Sequence, residues 1–183
     1  MHRIFHPDTE IQHQTAANGW KLITCSAEKN NKNASIGDVG LLMSPQAYKS
    51  LIKAEKANSR IIQATFEGNP KTTILPCYSP TNACNDEERD SFYTQLSETI
   101  RSLPKHNIHI IGGDMNAKIK PEDCGGYAYN KKTKENCQAL MMLLNTKFQK
   151  CKGKLWTFIY PSNEKAQLDY ILINRKKQNS AIN

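Results

Sequence analysis

Short apolar runs separated by polar stretches, many ending at glycine or proline, set the pattern of this chain. Trp20–Cys25, Val39–Met43, Arg60–Phe66 and Thr72–Tyr78 are rich in β-branched and aromatic residues and predict four strands. Ser44-Pro45 stops the second of them, and residues 46–51 suit a short helical turn. Glu67-Gly68-Asn69-Pro70 has hairpin-turn chemistry between the third and fourth. Pro76 lacks a ladder donor, so the fourth strand is expected to be near its end or bulged there. Asn85 and Glu88 fit a capping box, and the stripe Phe92, Leu96, Ile100, Leu103 predicts a helix closed by Pro104. Ile108–Ile111 predicts a buried strand, Glu135–Phe148 a second helix, and Leu155–Tyr160 and Ala166–Ile173 two more strands. Residues 1–19, 26–37 and 117–134 read as polar segments, the last a long loop with Gly125-Gly126. The whole predicts one α/β domain over residues 1–183, with no internal repeat.

The run Ile108–Ile111 climbs to Gly112-Gly113 and then presents Asp114 and Asn116. If the strand continues, alternation sends both polar side chains to one face and Met115 to the other. An acid beside an amide at a strand end could hold a water and a developing charge, and ligands gather at such ends in layered α/β proteins. The same residues also suit a plain strand-to-turn junction. Asp169 falls inside an apolar run; buried there it would need a histidine, an arginine or a backbone donor. It could instead sit near the strand start and reach solvent. Tyr78 closes an apolar strand and could face the same site or merely cap the sheet.

Composition narrows the partner more than the fold. The chain has 183 residues and a formal net charge of +8, which favours an anionic partner, nucleic acid before membrane surface. No apolar run approaches a membrane span, and the first residues, Met1 to Pro7, lack the apolar core of a signal peptide. The six cysteines have no metal spacing and are expected to be reduced thiols. His2 and His6 could share a helix face, but Pro7 follows and no third ligand is evident. The sequon Asn33-Ala34-Ser35 carries no weight without secretion.

Four segments stand in a telling order: Cys77-Tyr78-Ser79-Pro80-Thr81, Gly113-Asp114-Met115-Asn116-Ala117, Leu155-Trp156-Thr157-Phe158 and Gln167-Leu168-Asp169-Tyr170-Ile171. Together they resemble the endonuclease/exonuclease/phosphatase superfamily. In detail the chain is similar to the apurinic-type endonuclease domain of RTE-like non-LTR retrotransposons and to the craniofacial development protein 2-like proteins. The wording of residues 145–150 and 153–157 is especially close.

The resemblance implies a four-layer α/β sandwich, two packed sheets with helices outside. It implies Mg²⁺-dependent cleavage of phosphodiesters, DNA as partner and a nuclear setting. Asp114 would orient or deprotonate the attacking water, and Asn116 would hold water or phosphate beside it. Tyr78 would approach the phosphate or leaving group, and Asp169 would orient the family's histidine. Trp156 and Thr157 would support the site or a DNA groove. The family's metal-binding glutamate precedes a His-Arg pair; here that pair is His2-Arg3, and Met1 stands at the glutamate's place. The family's Ser-Asp-His segment does not occur before Asn183, and Thr81 replaces its usual asparagine. These departures imply a domain truncated at both ends, with weak or absent Mg²⁺ binding, impaired nicking and marginal stability from open sheet edges. Two rivals stay open: a catalytically dead nucleic-acid or protein-binding module, and a phosphoesterase for small phosphates or lipids.

Overall fold

A computed structural model describes residues 10–25, 28–29, 35–36, 39–81, 84–116, 157–159, 161–163, 165–166 and 168–173. The predicted helix at 135–148, the loop at 117–134, Met1, the His2/His6 pair and Trp156 lie outside them. The chain divides into two units, Met1–Tyr78 with Ser102–Gly112, and Ser79–Arg101 with Gly113–Asn183.

The first unit contains an antiparallel sheet of β1 (Ile11–Thr15), β2 (Lys21–Cys25) and β5 (Val39–Met43), in the order β1-β2-β5. Glu28–Lys29 and Ser35–Ile36 form a small antiparallel pair, β3 and β4, between β2 and β5 in the chain. The helical turn is α1 (Pro45–Ser50), whose N-cap Ser44 accepts from the Ala47 amide at 3.1 Å. Then come β6 (Leu51–Asn58), β7 (Ile61–Phe66), β8 (Thr72–Tyr78) and, after a helix of the second unit, β9 (Ile108–Asp114). These strands lie side by side in the order β9-β8-β7-β6.

Hydrophobic alternation explains how the two sheets meet. Ile11, Ile23, Cys25, Val39 and Met43 from the first sheet form one buried cluster with Leu51, Ala54, Ile62, Ala64 and Phe66 from β6 and β7. Burial of such side chains is the main stabilising term for a sandwich. Ile61 on β7 and Leu75 on β8 sit next in the chain to Ile62 of that cluster and Ile74 packed against it, so they face the other side, and both are fully buried. Their strands are therefore covered on both faces, as the continuous apolar runs imply.

The hairpin between β7 and β8 forms as expected, and Gly68 has a steric reason to be there. A Cβ on it would lie 2.8 Å from the Pro70 carbonyl oxygen. Pro76 lies near the end of β8, two residues before Tyr78, as expected, and causes no bulge: Ile61 with Cys77 and Ala64 with Ile74 keep one register on either side of it. Four strands were not foreseen: the two-residue β3 and β4, in the stretch 26–37 read as polar, and β1 and β6. In β1 the residues after Ile11 are exposed, and β6 carries Lys53, Glu55 and Lys56, so neither shows an apolar run. Tertiary pairing makes them strands.

His109 on β9 is buried, and its Nε2–H donates to the Pro104 carbonyl at 3.0 Å. Burial lowers its pKa, the Pro104 bond opposes this, and nearby His106 adds to the lowering. The unfolded chain therefore binds this proton more readily than the folded one. Stability is expected to be held above the ordinary histidine value of 6.5 and lost as pH falls below it. Burial lowers His13 in the same direction. Urea unfolding from about pH 7.5 down to about pH 5 should show the decline, with a shallower slope in His109→Gln.

The second unit contains α2 (Asp86–Ser102 less its final residue), the last two residues of β9, β10 (Phe158–Ile159), β11 (Lys165–Ala166) and β12 (Asp169–Ile173). Asn85 caps α2, its Oδ1 accepting from the Glu88 amide at 2.8 Å. Asp86, Glu87 and Glu88 suit the positive end of the helix dipole. Asn85→Ala is expected to cost about 1 kcal/mol, readable as a lower denaturant midpoint with an unchanged slope. β10 pairs antiparallel with β11. β12 adjoins β9. Among the described residues no helix is long and apolar enough to cross a membrane.

Candidate active site

β9 ends at Asp114, so the alternation that would have carried Asn116 to the same face stops there. A turn brings the two together instead. The Asn116 amide donates to Asp114 Oδ1 at 2.8 Å, and Asn116 adopts φ 45, a left-handed conformation that asparagine tolerates better than most residues. Both are half-buried, while Met115 between them is buried.

The turn is tied to two further segments. The Ser79 amide donates to the Asp114 carbonyl at 2.9 Å, and Asn116 Nδ2 donates to the Ser79 carbonyl at 2.8 Å. The Met115 amide donates to the Leu168 carbonyl at 2.9 Å. From α2, the Tyr93 hydroxyl donates to the Met115 carbonyl at 3.1 Å. Neither Ser79 nor Tyr93 was singled out from the sequence. The signal for Tyr93 was its place on the inner face of the helix, three residues before Leu96 and seven before Ile100, with a hydroxyl that needs a partner once buried.

This leaves defined chemistry open. Asp114 Oδ2 has no protein hydrogen bond among the described residues, and Asn116 keeps its Oδ1 and its second amide N–H. A carboxylate oxygen and an amide, fixed by backbone bonds, can orient a water beside an anionic group.

Asp169 departs from the buried reading. It is the first residue of β12 and is exposed, because the strand starts there rather than at Ala166. Thr157 places it: the Thr157 hydroxyl accepts from the Leu168 amide at 2.8 Å and from the Asp169 amide at 3.2 Å. Asp114, Asn116, Thr157 and Asp169 thus share the second unit and one hydrogen-bonded framework. Tyr78 does not; it closes the first unit, one residue before Ser79. Its ring packs on the sheet-to-sheet core, and the Arg60 guanidinium lies over it, 5.5 Å from the centroid.

The described residues do not suit a divalent cation by themselves. Mg²⁺ takes oxygen ligands in near-octahedral array. Among the described residues no three His, Cys, Asp or Glu side chains come together.

The fold is similar to that of solved endonuclease/exonuclease/phosphatase proteins. An endonuclease/exonuclease/phosphatase family protein from Leptotrichia buccalis matches with TM-score 0.54 and 14% identity, over 87% of this chain and 61% of that one. Beta toxin from Staphylococcus aureus matches with TM-score 0.52 and 16% identity, over 82% of this chain and 58% of that one. In sequence the chain is similar to craniofacial development protein 2 of Bos taurus, 26% identical over 155 residues, covering 78% of this chain and 26% of the relative. The protein of that name from Tragulus javanicus is 24% identical over 155 residues, covering 78% and 27%. The chain thus spans about a quarter of the length of these curated relatives. No family model matches it.

Proposed function

We propose that the chain is part of a phosphodiester-cleaving endonuclease domain of retrotransposon origin, with DNA as its substrate and Mg²⁺ as its cofactor. The observation that carries this is the turn that leaves Asp114 Oδ2 and the Asn116 amide open side by side. In this reading Asp114 orients the attacking water and accepts its proton, and Asn116 steadies the water or a phosphate oxygen. Asp169 is the second acid, held by Thr157, and Tyr78 serves from the strand that leads to Ser79. Trp156 is assigned to the support of the site or of a DNA groove by resemblance alone. A metal would neutralise phosphate charge when bound. Its remaining oxygen ligands must come from outside the described residues.

The test is relaxation of supercoiled plasmid with Mg²⁺, beside Asp114→Ala. Faster nicking by the wild-type chain supports the reading, and equal backgrounds reject it for this chain.

The charge of +8 favours a second reading, a nucleic-acid-binding module that does not cut. Its signature is DNA binding that weakens steeply with salt while both proteins leave plasmid intact. Binding indifferent to salt rejects it.

A further inference from the structure

We infer that Tyr93 is a positioning residue for the acid–amide turn, setting the geometry of Asp114 and Asn116 through the Met115 carbonyl. The inference rests on the proposed role of those two residues, but the geometry behind it stands by itself. Successive groups of the turn are held one by one: Asp114 O by the Ser79 amide, Met115 N by Leu168 O, and Asn116 N by Asp114 Oδ1. Met115 O is held by the Tyr93 hydroxyl. Among these bonds, this is the link that comes from a helix and from a side chain of another segment.

The phenol is well placed to act as a fixed strut. Tyr93 is buried, and its ring meets Phe92 edge-on, 5.1 Å between centroids at 77°. A ring locked in this way offers its hydroxyl at one point only. Ser79 Oγ, also buried, lies 3.4 Å from the Tyr93 oxygen and 3.4 Å from Pro80 O, so its single hydrogen serves one or the other. When it turns to Tyr93, a relay runs from Ser79 through Tyr93 to Met115 O. Each donor in such a chain polarises the next. The segment that accepts from Asn116 Nδ2 is the same Ser79. Ser79 and Tyr93 therefore grip both ends of the turn. Without the hydroxyl, Met115 O loses the bond that ties it to α2, and the turn is freer to shift. The open Asp114 oxygen and Asn116 amide would then lose their fixed separation, which catalysis tolerates poorly.

Tyr93→Phe in the full chain removes the hydroxyl and keeps the ring. The first readout is hydrogen exchange of the Asn116 and Ser79 amides by NMR. Exchange should quicken about tenfold at both, with the rest of α2 unchanged. Thr99→Ala, which removes a hydroxyl bond to Gln95 O elsewhere on the same helix, should leave both amides at wild-type rates. The second readout is nicking of plasmid with Mg²⁺: kcat should fall about tenfold with KM unchanged, as loss of orientation requires. Unchanged exchange in Tyr93→Phe overturns the inference. So does equal quickening in Thr99→Ala, which would make Tyr93 a matter of helix stability alone. A wild-type chain that neither cuts nor binds DNA rejects the proposed function, and the exchange measurement still decides the role of Tyr93.

Discussion

Asp114→Ala should lower any Mg²⁺-dependent nicking by about a thousand-fold or more, to the background of plasmid alone. Two oxygens of one carboxylate carry different loads. Oδ1 accepts the Asn116 amide and so shapes the turn, while Oδ2 is open to a water. Alanine removes both, and Asp114→Asn separates them. The asparagine variant retains an Oδ1 that can accept from the Asn116 amide, but it has no group able to take a proton. It should fold with a denaturant midpoint close to wild type and yet lose the same activity. Asp114→Ala should in addition lose about 1 kcal/mol of stability, the ordinary net worth of a turn hydrogen bond. The measurement is a pair: initial nicking rates and equilibrium unfolding for all three proteins. Retention of wild-type rates by Asp114→Asn would remove the proton-accepting role and leave only a structural one.

The largest effect on stability should come from the core between the sheets. Ile62 is fully buried in the cluster joining β6 and β7 to the other sheet. Ile62→Ala deletes buried carbons and leaves a cavity that its β-sheet neighbours can close only in part. A loss of about 3–4 kcal/mol is expected. That is a large share of the ~5–15 kcal/mol that holds an ordinary domain folded, so the variant should be substantially unfolded at 37 °C if the wild type is at the lower end. Leu42 is the control: it lies 56% exposed on β5, and Leu42→Ala should change stability by less than about 0.5 kcal/mol. Comparable midpoints for the two variants would mean that Ile62 does not sit in a packed interior.

Much of the fold was legible because its strands carry the physical signal of burial. β2, β5, β7 and β8 are apolar runs bounded by turn residues, and the structure keeps them within about one residue of their expected ends. The same holds for α1 and for α2, whose cap and stripe lie in plain view. β1 and β6 were not legible. Their side chains are mostly polar or half-exposed, and they become strands through pairing with β2 and β7.

The site divides in the same way. Strand end, acid and amide could all be named from Ile108 to Asn116, the apolar runs around them flagged Asp169 and Tyr78, and the resemblance added Trp156 and Thr157. Residue identities alone fixed which chemistry is available here: a carboxylate and a carboxamide in a basic chain, at the end of a buried strand. Only the tertiary structure decided that a left-handed turn, not strand alternation, brings that pair together. It likewise decided that Asp169 opens its strand in solvent and that Ser79 and Tyr93 hold the turn. The reason is that side-chain chemistry is local and written one residue at a time. Burial and hydrogen-bond partnership depend on segments far apart in the chain, and no short stretch contains both halves of such a bond.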